Sequence, residues 1–162
     1  MTEQEKVLQA LLKNNIPYTI MEHPAVYTIA EMENLELAGI EHVVKNLFIR
    51  DDKKQNYYLV VLQKDKHANL KELQNSLNSR RLTFASEEDL QRYLGLTKGA
   101  VTPLGILNDA QHKVIVVLDK DLYEQEKVGV HPNINTATVW LTVEDLEKLI
   151  AKCKNTYIWV NI

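Results

Sequence analysis

Two short apolar runs, residues 43–50 and 57–62, flank six polar residues: Asp51, Asp52, Lys53, Lys54, Gln55 and Asn56. Both runs are rich in Val, Ile, Leu, Phe and Tyr, which suits strands better than helices. The polar stretch between them reads as a turn, so an antiparallel hairpin is expected at the centre of the sheet. That hairpin constrains the whole fold. A doubly wound sheet needs regular strand-helix-strand units, and the hairpin breaks their rhythm.

The other segments read as a mixture of strands and helices. Thr2 and Glu5 form a capping box ahead of Val7, Leu8, Leu11 and Leu12, so a helix is expected to run to about Asn14 and Asn15. Residues 18–21 suit a short strand, His23-Pro24 a break, and Thr28 with Glu31 the cap of a second helix that Gly39 can terminate. Asn69 opens a helix carrying Leu70, Leu73 and Leu77; residues 82–84 are strand-like; Ser86 and Asp89 cap a helix ending at Gly95. The strongest strand signal is the continuous apolar run 114–118. Residues 138–141 and 157–160 give two more strands, around a helix capped by Thr142 and Asp145. The expected fold class is α/β (α+β), a mixed, curved or partly barrel-like β-sheet surrounded by helices. With 162 residues and no linker, repeat or low-complexity segment, one domain spanning 1–162 is expected.

The formal net charge of −3 excludes a protein that coats nucleic acid through sheer basicity. The distribution is uneven, however: between Lys53 and Lys98 nine Lys or Arg face five Asp or Glu. That middle segment can face phosphate, through Lys64, Lys66, Lys71, Arg80, Arg81 and Lys98, or simply be a solvated face. The single cysteine, Cys153, cannot pair within the chain and reads as filler on the last helix. No Cys/His spacing resembles a metal site, and no metal or cofactor is expected. The N-terminus is acidic where a secretion signal is basic, and no apolar run approaches membrane-spanning length. No membrane partner and a cytoplasmic location are expected.

Within the hairpin, Lys45 and Asn46 interrupt what otherwise reads as a buried strand. Alternation puts Lys45 on the face of Val43, Leu47 and Ile49, and Asn46 on that of Val44 and Phe48. Two readings fit: a lysine that snorkels to water, or a polar pair lining a pocket. Other segments bear on the choice. Gly99, Ala100, Val101, Thr102 and Pro103 form a loop with restricted ends, with Gly105 beyond; Asn108-Asp109 and residues 129–133 also look like loop parts of one site. Such a loop can present backbone amides to a developing oxyanion or be an ordinary connection. His131, between Gly129 and Pro132, can hydrogen-bond a substrate or move protons near neutral pH. His23-Pro24 repeats the dipeptide, so the pattern alone is not specific; His42, His67 and His112 read as surface residues. Asp119 and Asp121 follow the strand 114–118 and are given no role. No nucleophile triad, phosphate loop or dinucleotide fingerprint is present.

Taken in order, Lys45 to Phe48, the loop from Gly99 to Gly105, Asn108-Asp109, and Val130-His131-Pro132 with Asn135 to Thr138 resemble the YbaK/ProX superfamily of aminoacyl-tRNA editing domains, closest to its free-standing PrdX-type (ProXp-ala) prolyl-tRNA editing members. The resemblance spans nearly the whole chain. It implies hydrolysis in trans of the ester joining a wrong amino acid, typically alanine, to proline tRNA, with water as nucleophile. The implied partners are the acceptor end of aminoacylated tRNA(Pro) and, further, prolyl-tRNA synthetase. By position, it makes Lys45 the essential lysine, engaging the terminal nucleotide or the ester, with Asn46 as companion. It makes the loop from Gly99 to Pro103 the holder of the terminal adenosine, and His131 the pocket-lining histidine. Two alternatives stand beside it: action on Cys-tRNA(Pro) or another aminoacyl-tRNA, and a non-catalytic module that binds tRNA or a synthetase.

Overall fold

The computed structural model describes residues 1–162. In chain order the elements are α1 (Glu3–Lys13), β1 (Thr19–Glu22), α2 (Ile29–Asn34), β2 (Val44–Asp51), β3 (Tyr57–Gln63), α3 (Leu70–Leu77), β4 (Leu82–Phe84), α4 (Glu87–Leu94), β5 (Val114–Asp119), β6 (Lys127–Val130), β7 (Ala137–Thr142), α5 (Val143–Lys152) and β8 (Tyr157–Val160). Short 3-10 helices lie at Ile40–His42, Pro103–Asn108 and Lys120–Glu124. No helix is long and apolar enough to cross a membrane.

β2 and β3 form the expected antiparallel hairpin, with Lys45 opposite Leu62 and Asn46 opposite Val61. Its turn is held by Asp51, which is buried rather than solvated: its carboxylate accepts from the backbone N–H groups of Lys53, Gln55 and Asn56 and from the Asn56 side chain. Burial alone would raise the Asp51 pKa, but these hydrogen bonds outweigh it and hold the carboxyl below its ordinary range.

The hairpin is the centre of a mixed five-stranded sheet in the order β4-β2-β3-β5-β8, antiparallel at β2–β3 and β2–β4, parallel at β3–β5 and β5–β8. One face carries Val44, Phe48, Leu59, Val61, Val116 and Leu118 into the main core, shared with Leu11 of α1, Leu94 of α4 and Leu149 of α5. The opposite face, with Ile49, Val60, Leu62 and Val117, packs with Leu73 of α3. Burial on both sides explains why these strands read as continuous apolar runs and not as alternating ones.

A second, antiparallel sheet has the order β1-β7-β6. The sheets meet at one isolated parallel bridge between Val43 and Gly129, so the assembly is curved and partly closed without becoming a barrel. Close approach there requires a residue without a side chain: a Cβ on Gly129 would stand 2.9 Å from Trp140 Nε1 and 3.0 Å from Val43 Cγ2.

Three expectations need correction. Gly129 and Val130 belong to strand β6 and not to a loop; with Lys127 exposed and Gly129 lacking a side chain, the segment has no apolar alternation to read. α2 ends at Asn34 and is capped by Leu35, with Glu36 taking φ 53, whereas Gly39 sits under Trp140, whose Nε1 donates to the Gly39 carbonyl at 2.9 Å. Asn108 and Asp109 serve the scaffold. The Asn108 side chain ties α1 to α4, accepting from Lys6 Nζ (2.6 Å) and donating to Leu94 O (2.9 Å) and Glu3 Oε1 (3.0 Å). Asp109, buried, accepts from Val114 N (2.8 Å) and Asn155 Nδ2 (2.9 Å).

The Gly129 contact yields a stability prediction. Gly129→Ala adds one methyl where Trp140 and Val43 already touch, and is expected to cost about 1–3 kcal/mol as overpacking. A urea unfolding curve unchanged from the parent would show that the inter-sheet contact yields freely.

Candidate functional site

A cavity of about 200 Å³ opens where β2, α2, the loop before Pro103 and the end of β6 converge. Its position follows from the strand pairing. β4 covers only Ile49, Arg50 and Asp51 of β2, so the first half of that strand is a sheet edge. Lys45 and Asn46 project to opposite faces, yet both line the cavity because it wraps this edge.

Lys45 is half-buried and makes no ion pair; its ammonium donates to the main-chain carbonyl of Lys66, which leaves two N–H groups free. Lys66 is itself fixed. Its ammonium contacts Asp119 at 3.0 Å, Asp121 at 2.5 Å and the Ile162 carbonyl at 2.9 Å. Burial alone would lower the Lys66 pKa, but Asp121 and Asp119 outweigh it and hold the ammonium above the ordinary lysine value. Asp119, read from sequence as a residue without a role, is a fully buried carboxylate that also accepts from the backbone of Gln63 and Asp121. Asn46 leaves Oδ1 buried without a protein partner, a costly omission unless something else supplies the hydrogen bond.

His131 stands on the cavity wall with Nδ1 3.0 Å from the Ala137 carbonyl. A carbonyl only accepts, so Nδ1 carries the proton and Nε2 of the neutral ring is left as an acceptor. Burial, partly offset by the Ala137 carbonyl and reinforced by His23, lowers the His131 pKa below the ordinary 6.5. The ring of His23 lies 6.2 Å away, centroid to centroid. His23 Nδ1 donates to Pro24 O (2.8 Å), and its Nε2 lies 2.8 Å from the Thr138 hydroxyl. Thr138 lines the cavity, and its hydroxyl donates to Met32 Sδ at 4.0 Å.

Of the loop residues, Gly99 and Val101 reach the cavity. Gly99 has φ +95, and a Cβ there would stand 2.6 Å from Tyr27 Cδ1. Ala100, Thr102 and Pro103 are buried behind the wall; the Thr102 hydroxyl accepts from Leu104 N and caps the 3-10 helix begun by Pro103. Gly129 lines the floor with Val43 and Val130.

The sequence reading missed one wall entirely: Val26, Tyr27, Thr28, Ile29 and Met32. Thr28 was legible only as a helix cap. The available signal was the apolar series Val26, Ile29, Met32 directly after His23-Pro24. Asn135 staples this wall to the β6–β7 connection: its Nδ2 donates to Val26 O (2.9 Å), and its carbonyl accepts from Val26 N (3.2 Å).

Three of the middle cations are paired with carboxylates. Lys66 pairs with Asp119 and Asp121, Arg80 with Asp52 at 2.6 Å, and Lys64 with Asp65 and Glu33. Lys71, Arg81 and Lys98 remain exposed and unpaired, and Lys98 adjoins Gly99 at the cavity.

Residues 23–149 match the family model of the aminoacyl-tRNA editing domain, and that segment contains every residue lining the cavity. The chain belongs to this family. As an aminoacyl-tRNA editing domain it is an ester hydrolase, an aminoacyl-tRNA deacylase. It is 49% identical over 157 residues to the prolyl-tRNA editing protein ProX of Acetoanaerobium sticklandii, covering 97% of this chain and 96% of the relative. It is 36% identical over 156 residues to the prolyl-tRNA synthetase associated domain-containing protein 1 of Danio rerio, covering 93% and 83%. A crystal structure described as a candidate trans-editing enzyme for prolyl tRNA synthetase shares the fold, with a TM-score of 0.74 at 20% identity over 100% of this chain and 98% of the other.

The buried His131 makes stability depend on pH. Its folded pKa lies below the unfolded value, so as pH falls through about 6.5 the unfolded chain takes up a proton that the editing domain does not. Stability is expected to fall with pH across that window and to level off below the folded pKa. Urea unfolding at several pH values should show part of this slope vanish in His131→Asn; an unchanged slope would mean that His131 is not held neutral.

Proposed function

We propose that this editing domain hydrolyses mischarged proline tRNA in trans, with the alanyl ester as its preferred substrate. The carrying observation is the cavity itself: about 200 Å³, walled by Val26, Ile29, Met32, Val43, Val101 and Val130, with its polar groups gathered along the β2 edge, Thr138 and His131. Such a space suits a small aliphatic side chain and its ester and leaves the nucleotide outside. The need for it is chemical. A synthetic site built for proline cannot strongly reject a smaller apolar amino acid, so a second, smaller site must remove the error. The Acetoanaerobium relative, a prolyl-tRNA editing protein, supports proline tRNA as the substrate, and the Danio rerio relative, a prolyl-tRNA synthetase associated domain-containing protein, supports prolyl-tRNA synthetase as a partner.

In this reading Lys45 gives its free N–H groups to the terminal nucleotide or the ester carbonyl. Asn46 Oδ1 and His131 Nε2 accept hydrogen bonds from the attacking water or the adjacent ribose hydroxyl. The loop at Gly99 holds the nucleoside end. Water adds to the ester carbonyl carbon, negative charge builds on the carbonyl oxygen, and collapse breaks the bond to the ribose oxygen, which takes a proton. Free amino acid and intact tRNA leave. An ester demands only an oriented water and stabilisation of that charge, so no strong protein base is required.

A deacylation panel of Ala-, Cys-, Ser- and Pro-tRNA(Pro) tests this reading. Ala-tRNA(Pro) should be cleaved and Pro-tRNA(Pro) spared; faster cleavage of Cys-tRNA(Pro) would reassign the pocket, and tight tRNA binding with no deacylation of any ester would make the protein a binding module. Lys45→Ala should lower kcat by at least about 100-fold with an unchanged circular dichroism spectrum.

A further inference from the structure

One aromatic ring at this site has no partner within the fold. Tyr27 lines the cavity, yet it is 66% exposed, joins no aromatic pair, and its hydroxyl makes no hydrogen bond. The other strongly exposed aromatics differ: Tyr123 stacks on Trp159 with centroids 3.9 Å apart, and Phe84 lies on β4, outside the cavity lining. Tyr27 is also held in place. Its backbone N–H donates to Glu31 Oε2 at 2.7 Å, and its ring rests on Gly99, where any Cβ would collide with Cδ1. Beside that contact stands the exposed, unpaired Lys98.

A fixed aromatic ring at the mouth of a cavity, next to a free cation, is the arrangement that receives a splayed nucleobase: the base stacks and the cation meets the phosphate. We propose that Tyr27 is the stacking platform for the 3′-terminal base of the tRNA, and that the base lies outside the cavity over the Tyr27–Gly99 contact. This rests on the reading of the substrate as an aminoacyl-tRNA. It gives Gly99 a second purpose, since a side chain there would displace the ring.

The test uses the whole protein and two readouts. First, an uncharged tRNA carrying 2-aminopurine as its terminal base should lose fluorescence on titration with the parent protein and with Tyr27→Phe, and keep it with Tyr27→Leu, which retains apolar bulk against Gly99 but has no π-face. Second, in steady-state deacylation Tyr27→Phe should stay near the parent, while Tyr27→Leu should lose roughly ten-fold in kcat/KM, mostly through KM. Thermal unfolding of each variant guards against a folding defect, and Tyr27→Trp, which enlarges the π-face, should restore both signals. No quenching by the parent protein, or Tyr27→Leu matching the parent in both readouts, overturns the proposal. Quenching that depends on residue 27, without deacylation of any ester, would leave the platform standing and sink the proposed reaction instead.

Discussion

Lys66 is used at both ends. Its ammonium is drawn into Asp119 and Asp121, and its main-chain carbonyl receives the ammonium of Lys45. Asp119 is fully buried at the end of β5, so a carboxylate that would be costly alone is compensated by a cation from the segment following β3. Lys45 thereby inherits a fixed position from an ion pair it does not join. It remains a cation without a carboxylate of its own, with donors to spare. A lysine paired directly to an acid would have those donors occupied and its charge cancelled, and would be of little use to an ester or a phosphate.

The hairpin makes that position available. Because β4 pairs only with the last residues of β2, the first half of β2 keeps one edge free, and adjacent residues that alternation sends to opposite faces can serve one cavity around that edge. Lys45-Asn46 was legible as an anomaly, two polar residues in sequence on an apolar strand, but periodicity alone also fitted a lysine that snorkels to water. The hairpin, the capped helices and the run at β5 were legible because each carries a local signal, a cap box or an apolar period, that tertiary contacts did not need to override. β6 carried no such signal, with a lysine and a glycine in four residues. The α2 wall was hidden for a different reason. Val26, Ile29 and Met32 are apolar residues on and just before a short helix, and nothing local distinguishes those that seek a core from those that wall a cavity.

The loop from Gly99 to Pro103 shows how a motif divides its labour. Gly99 and Val101 face the cavity, while Ala100, Thr102 and Pro103 shape the turn from behind. Sequence treats them as one block because spacing does not say which residues touch a ligand and which hold the others in place. Asn135 is similar: it lies beside the site residues His131 and Thr138, and its hydrogen bonds to Val26 staple the two sides of the cavity together.

Discrimination between amino acids differing by a few carbon atoms places its own demand on the apolar side. An extra methylene in a pocket is worth only about 1–3 kcal/mol, and rejection reaches that range only where the wall does not yield. Here Val26, Met32 and Val43 form one small cluster with Trp140, whose indole N–H is fixed to the Gly39 carbonyl. Trp140 can approach this closely only because Gly39 and Gly129 offer no side chain; a Cβ on either would stand 2.9 Å from its Nε1. The stiffness of the wall therefore comes from a buried tryptophan and two glycines at the seam between the sheets. The proposed reacting groups stand on β2 and on the β6–β7 connection, where Val43 and Val130 of the same wall adjoin them in sequence. Only Val26, Ile29 and Met32, on and just before α2, belong to a segment separate from those groups, so that segment is where the size of the cavity can change with least effect on them.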